Sequence, residues 1–249
     1  MTQDSPVPAP TDPPSDPAAD VGRPRLSRDL IVETAIDQID RVGLSGLTMR
    51  QLAECLGVEA MSIYHHVDGR EDLLEAVVAA LAETARVDPD RVIGPSNGWQ
   101  AYLTMLAHSI RDMALAHPNA FPLVATRPPA APWLRPPVRS LEMVEDFLHA
   151  MTSRGMGDEQ AVHTYKVFTS FLLGNLLLEV SQLGAQTGPP REPLDEGDAE
   201  VPQGEHELAL NDFPHLERVR EIIRRGDADA DFAEALEAML DRLDLQFSQ

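Results

Sequence analysis

The chain has 249 residues, 43% of them hydrophobic, and sets 41 acidic side chains against 20 basic ones for a formal charge of −21. That hydrophobic share supports a buried core and excludes a wholly disordered chain, while the acidity excludes a chain-wide basic footprint for nucleic acid, so any DNA contact must come from a local cluster acting against the global field. No apolar run approaches the roughly 18 residues of a membrane helix, the first residues carry no secretory signal pattern, and a lone cysteine, Cys55, closes no internal disulfide, so a cytoplasmic location is expected.

Residues 1–22, with prolines at 6, 8, 10, 13, 14 and 17 among acids and alanines, read as a disordered tail. Ser27 then offers an N-cap to a helix whose Val32, Ala35, Ile36, Ile39 and Val42 share one face and which Gly43 ends. Thr48 and Gln51 form a capping box for a second helix, which buries Leu52 and Leu56 and stops at Gly57. A short third helix is expected over about 59–65, and Asp68-Gly69-Arg70-Glu71 opens a fourth with Leu73, Leu74, Val77, Val78 and Leu81 behind it. Beyond Pro95, Trp99 to His117 reads as one helix stopped by Pro118. Seven prolines between 118 and 137 leave room only for short turns of helix and loop. Val138–Arg154 and Asp158–Leu183 follow as longer helices, the second apolar on nearly every side and so expected to be covered all round. A mobile loop is expected over 184–207, and a last helix places Phe232, Leu236, Met239, Leu240, Leu243 and Phe247 on one stripe. Helical spacing throughout, with no alternating strand pattern, makes the chain all-α.

The second and third helices with Gly57 between them form a helix-turn-helix, whose second helix can enter the major groove of DNA. Leu52, Leu56, Val58 and Ile63 point inward, leaving Ala60, Met61, Ser62, Tyr64 and His66 toward the outer face. Ser62 suits a base edge or phosphate, Tyr64 and His66 suit phosphate, and Ala60 and Met61 suit thymine methyls. Arg23, Arg25 and Arg28 precede the first helix, and Arg50 and Arg70 stand at helix starts, where the helix dipole also favours phosphate. These five read as a phosphate clamp. Nineteen of the 20 basic residues are arginine, which suits bidentate contacts and equally follows from a GC-rich coding sequence. Taken alone, two short helices and a glycine occur in many helical proteins, and Tyr64, His65 and His66 could be half-buried packing residues. The pattern by itself leaves both readings open.

The segment Gly43-Leu44-Ser45-Gly46-Leu47-Thr48-Met49-Arg50, then Leu-Gly-Val at 56–58, Ile63-Tyr64-His65-His66-Val67 and Leu73-Leu74, resembles the TetR family of transcriptional regulators over about residues 25–85. A looser similarity to the tetracycline-repressor branch continues through Trp99-Gln100, His117, Thr126-Arg127-Pro128 and Leu173-Gly174. The resemblance implies a helix-turn-helix domain over 23–70, a ligand-binding and dimerisation domain over 71–249, and homodimers whose last two long helices form a four-helix bundle. It also implies that two recognition helices read a palindromic operator in double-stranded DNA, and that a small-molecule inducer releases it. By position, DNA contacts fall on Thr48, Arg50, Ala60, Met61, Ser62, Tyr64, His66 and Arg70, and Arg25 and Arg28 join them from the clamp.

In tetracycline-binding members a histidine before Thr-Arg-Pro coordinates the drug-bound magnesium. Here Phe121-Pro122-Leu123-Val124-Ala125 has no imidazole, Arg86, Leu106 and Ile110 stand at other drug-holding positions, and Leu178 or a displaced Glu179 replaces an acid. Leucine neither ligates a metal nor hydrogen-bonds an amide, so magnesium-tetracycline is not the expected inducer. The candidate pocket is Arg86, Leu103, Leu106, Ile110, Met113, Met143, Phe147, Phe168, Phe171, Leu172 and Asn175, and a largely apolar ligand fits it. The alternatives are a helical small-molecule-binding protein without an operator, or an activator whose ligand strengthens DNA binding. The histidines lack ligand spacing and no phosphate loop or nucleophile elbow is present, so no metal, cofactor, catalytic residue or membrane partner is expected. Cys55 reads as a small core residue beside Leu52 and Leu56.

Overall fold

The computed structural model describes residues 25–90, 98–127, 140–187 and 213–247, and every regular element among them is helical. The expected tail over 1–22 and most of the expected loop over 184–207 lie outside the described residues. Helix α1 (Arg28–Val42) starts where the Ser27 hydroxyl accepts the Leu30 N–H, a cap worth about 1 kcal/mol. It buries Ile31, Val32, Ala35, Ile36 and Ile39, but Val42, expected on that stripe, is 55% exposed because the helix ends there at Gly43. A single 3₁₀ turn, Leu44–Gly46, leads to α2 (Met49–Leu56). The Thr48 hydroxyl accepts the Gln51 N–H, as a capping box requires, and donates to the Gln51 side-chain oxygen.

Gly57 ends α2 in the left-handed region (φ 65°, ψ 36°), and the Gly57 and Val58 N–H groups close back on Ala53 and Glu54. Only glycine adopts that conformation without strain, so the sharp reversal into α3 (Ala60–Ile63) depends on it. Cys55 corrects the sequence reading: it is exposed, since a two-turn helix with Leu52 and Ala53 inward leaves it to one side. Helix α4 (Arg70–Thr84) buries Leu73, Leu74, Val77, Val78 and Leu81 and packs against both α1 and α6 (Phe121–Thr126). Its N-cap, Gly69, offers no side chain, and Asp72 reaches back to accept the Asp68 N–H at 2.9 Å.

Helices α5 (Trp99–Ala116), α6, α7 (Leu141–Thr152), α8 (Asp158–Gln182) and α10 (Ala228–Phe247) build the second half around α8, which packs against α5, α6, α7 and α10. Pro122 fits within the first turn of α6, where its missing N–H costs no helical hydrogen bond. The face of α10 formed by Phe232, Leu236, Leu240 and Leu243 is buried. One helix was not expected. Helix α9 (Pro214–Arg224) buries none of its residues and leaves Leu216, Ile222 and Ile223 exposed. The expectation that α8 is covered all round fails within one chain, since Val162 and Leu178 are exposed.

Candidate DNA-reading surface and ligand cavity

Ile63 is fully buried and anchors α3, an effect of about 1.5–3 kcal/mol for a side chain of this size. With that anchor inside, Met61 is 69% and Tyr64 45% exposed, while Ala60, Ser62 and His66 are half-buried beside them. Thr48 and Arg50 are exposed at the start of α2, and Arg25 is exposed just before α1. The Arg50 Nε atom sits 3.1 Å from Glu54 on the same helix. Both side chains lie mostly in water, so the pair holds the guanidinium weakly and a phosphate can compete for it.

Arg28 and Arg70, expected in the phosphate clamp, are exposed and also make contacts within the fold. Arg28 donates to the His66 carbonyl at 2.8 Å and to both Asp72 oxygens at 2.9 and 2.7 Å, bracing the start of α1 to the turn after α3 and to the first turn of α4. Arg70 donates to the Leu44 carbonyl at 3.2 Å and lines a crevice with Asn119, Pro122 and Leu123. The Arg28 guanidinium, followed by the Asp68 N–H, holds the Asp72 carboxyl down to about 2. A depressed carboxylate contributes stability above the ordinary carboxylate range and loses it as the pH falls through about 2. The Asp72 side-chain carbon signal in an acid NMR titration is therefore expected to move with a midpoint near 2. A midpoint at the ordinary value near ~4 would mean that the brace does not form in solution.

The second feature is a cavity of about 80 Å³ lined by five helices. Val78, Ala82 and Ala85 line it from α4 and the residue after it, Leu106, Ile110 and Met113 from α5, and Phe121 and Val124 from α6. Ser140, Met143, Val144 and Phe147 line it from the start of α7, and Tyr165, Phe168, Thr169, Leu172 and Leu173 from α8. No charged residue is among these lining residues. The Phe147 ring meets Tyr165 edge-on at 5.6 Å and Phe168 at 5.7 Å, so one wall is aromatic. Burial pushes the Tyr165 phenol up to about 12, so it is neutral at physiological pH.

Seven expected pocket residues meet here: Leu106, Ile110, Met113, Met143, Phe147, Phe168 and Leu172. Four do not. Arg86 pairs with Asp146 at 2.6 Å and with Glu83, tying the end of α4 to α7. Leu103 is fully buried on α5 but lies outside the lining. Phe171 stacks on Phe232 at 6.4 Å, and Asn175, one turn further along α8, likewise lies outside the lining. Glu179 continues that stripe and meets Arg111 at 2.5 and 3.0 Å, so its carboxylate faces a cation on α5. Ten further lining residues were not expected, among them Tyr165 and Thr169, which with Phe168 and Leu172 complete an i, i+3, i+4, i+7 face.

Residues just past the ends of α5 and α6 tie the cavity walls to α4 and to α1 of the helix-turn-helix. Arg127, one residue past α6, donates to Glu75 at 3.0 Å and to Glu71 at 2.8 Å on the first turns of α4. His117 Nδ1 lies 2.7 Å from an Asp40 oxygen on α1, and the Asn119 amide donates to the Asp40 carbonyl at 2.9 Å.

Two family models match this arrangement: "Bacterial regulatory proteins, tetR family" over residues 31–77 and "Tetracyclin repressor-like, C-terminal domain" over 94–246. The chain belongs to the TetR family of helix-turn-helix transcriptional regulators, which are DNA-binding proteins and not enzymes. Among curated relatives it is similar to the tetracycline repressor protein class D of Escherichia coli, 25% identical over 90% of this chain and 92% of that one. Among solved structures it is similar to a possible TetR family transcriptional regulator from Streptomyces coelicolor A3(2), with a TM-score of 0.67 and 26% identity over 88% of this chain and 99% of the other. It is also similar to ActR of Streptomyces coelicolor in complex with actinorhodin, with a TM-score of 0.61 and 25% identity over 88% and 95%.

Proposed function

We propose that the chain is a homodimeric repressor that holds a palindromic operator through α3 of each subunit and leaves it when a largely apolar small molecule enters the cavity. The observation that carries the reading is one wall shared by two functions: α4 lines the cavity with Val78 and Ala82 and packs on α1 of the helix-turn-helix. Pockets for drug-sized ligands run from about 300 Å³, against the 80 Å³ open here. Such an occupant must push the walls apart, and two of those walls are α4 and α6, joined by Arg127. The displacement is thereby delivered to α1–α3, and the spacing of two recognition helices departs from one DNA turn, roughly 34–36 Å. Leu178 on α8 and Leu245 on α10, 69% and 60% exposed, support the dimer, because these helices pack together and leave apolar surface for a second copy.

The cavity does not suit magnesium-tetracycline: its lining offers neither imidazole nor carboxylate, and Glu179 is engaged by Arg111. ActR, which is similar over most of its length, has been solved with actinorhodin bound.

The test is retardation of operator duplex by variants of the exposed residues. Tyr64→Ala and Arg50→Ala are each expected to weaken binding by about tenfold, as the loss of one good contact does. Affinity is also expected to fall as salt rises. Unchanged binding by both variants would remove this face from DNA recognition. Tightening on addition of the natural ligand would turn the reading into that of a corepressor-dependent or activating regulator.

A further inference from the structure

Polar groups inside an apolar cavity are costly unless something satisfies them. Of the three hydroxyl-bearing residues in this lining, Ser140 caps α7 by accepting the Met143 N–H and donates to Glu142. Tyr165 has an interaction of its own. Thr169 is different. It is 7% exposed, lies mid-helix, and its hydroxyl makes no hydrogen bond among the described residues. Elsewhere in the helices Thr34, Thr104, Thr126 and Thr152 each donate to the carbonyl four residues back, and the buried Thr164 donates to the Met156 sulfur. The Thr169 hydroxyl has done neither. Nor is its oxygen sealed off as the orphaned Gln38 and Asp40 oxygens are.

We infer that Thr169 is the anchoring and specificity-determining residue of the cavity, and that its ligand is a neutral, mainly aromatic molecule bearing an oxygen that hydrogen-bonds the Thr169 hydroxyl. The inference rests on the reading of the cavity as the ligand site and narrows the class of ligand. Neutrality follows from the described lining, since none of the described residues there balances a charge, and an unpaired ion in such surroundings is strongly disfavoured. The aromatic body follows from Phe121, Phe147, Tyr165 and Phe168. A hydrogen-bonding group is called for because a hydrocarbon would leave the Thr169 hydroxyl still unpaired, and a hydroxyl or carbonyl oxygen pairs it without bringing the charge an amine would. A site built round such a group rejects the analogue lacking it more firmly than a purely apolar site rejects a size variant.

The experiment compares 2-naphthol with naphthalene, which differ by one hydroxyl, by calorimetry on the full chain and on Thr169→Val and Thr169→Ser. Wild type is expected to prefer 2-naphthol by about tenfold, Thr169→Val to lose that preference while binding naphthalene as before, and Thr169→Ser to restore it. A merely structural threonine would weaken both probes alike in Thr169→Val, and that result overturns the inference. So does a preference that survives in Thr169→Val or is absent from wild type. Wild-type protein that still retards operator DNA but binds neither probe overturns the ligand class and leaves the regulator reading standing. Loss of the preference in Thr169→Val, in a protein that recognises no DNA, would support the anchor and sink the regulator reading.

Discussion

Replacing Arg111 with methionine is expected to cost about 3–5 kcal/mol of folding stability, as removal of one partner from a buried ion pair does, and to lower Tm by about 10 °C for a chain of this size. The Arg111 side chain is 9% exposed, and its guanidinium joins three helices: it meets Glu179 on α8 at 2.5 Å, Asp229 at the start of α10 at 2.6 Å, and the Phe232 ring at 4.9 Å. The large cost comes from Glu179, which is itself nearly enclosed and would be left as an unpaired charge. Asp229, 82% exposed, contributes little because water screens it. The double substitution Arg111→Met with Glu179→Met is therefore expected to regain most of the loss. Thermal unfolding of both variants checks this, and a single variant within ~1 kcal/mol of wild type, the usual range for an exposed pair, would contradict it.

The other large effect concerns assembly. A glutamate at Leu178 together with one at Leu245 is expected to give a monomer in sedimentation. Operator affinity should then fall by about a hundredfold or more, because each half-site is bound without the gain of the linked second one. Each subunit's own core should be untouched, since both side chains already face outward. A double variant that remains dimeric would place the interface elsewhere.

Much of the fold was legible because its signals are local. Ser27, the Thr48–Gln51 pair and Gly57 each write a helix boundary within three or four residues, and the stripes of α4 and α10 repeat at helical spacing. What escaped was long-range or ambiguous in sign. Arg28 and Asp72 are 44 residues apart and Arg111 and Asp229 are 118 apart. A charged side chain defaults to solvent or ligand in a sequence reading, so the bracing contacts of Arg28 within the fold have no local signal. The apolar residues of α9, separated by charges and never buried, have no core against which to be recognised. Along α8 the difficulty is angular: Phe168 and Phe171 look equivalent in a run apolar on all sides. Yet one lines the cavity and the other stacks on α10. The same ambiguity hid Thr169, which lies on the cavity face and reads in sequence as an ordinary helical threonine.

Selection of bound duplexes from random DNA, carried out in parallel with wild type and with Met61→Ala/Tyr64→Ala, tests the account most directly. Two α3 helices held by a symmetric pair predict that wild type enriches a palindrome with half-site centres one helical turn apart, about 10 base pairs, and that the variant fails to enrich it. Enrichment of an asymmetric or single half-site sequence by wild type, or recovery of the same palindrome by the variant, would contradict the claim that this pair of short helices reads the operator.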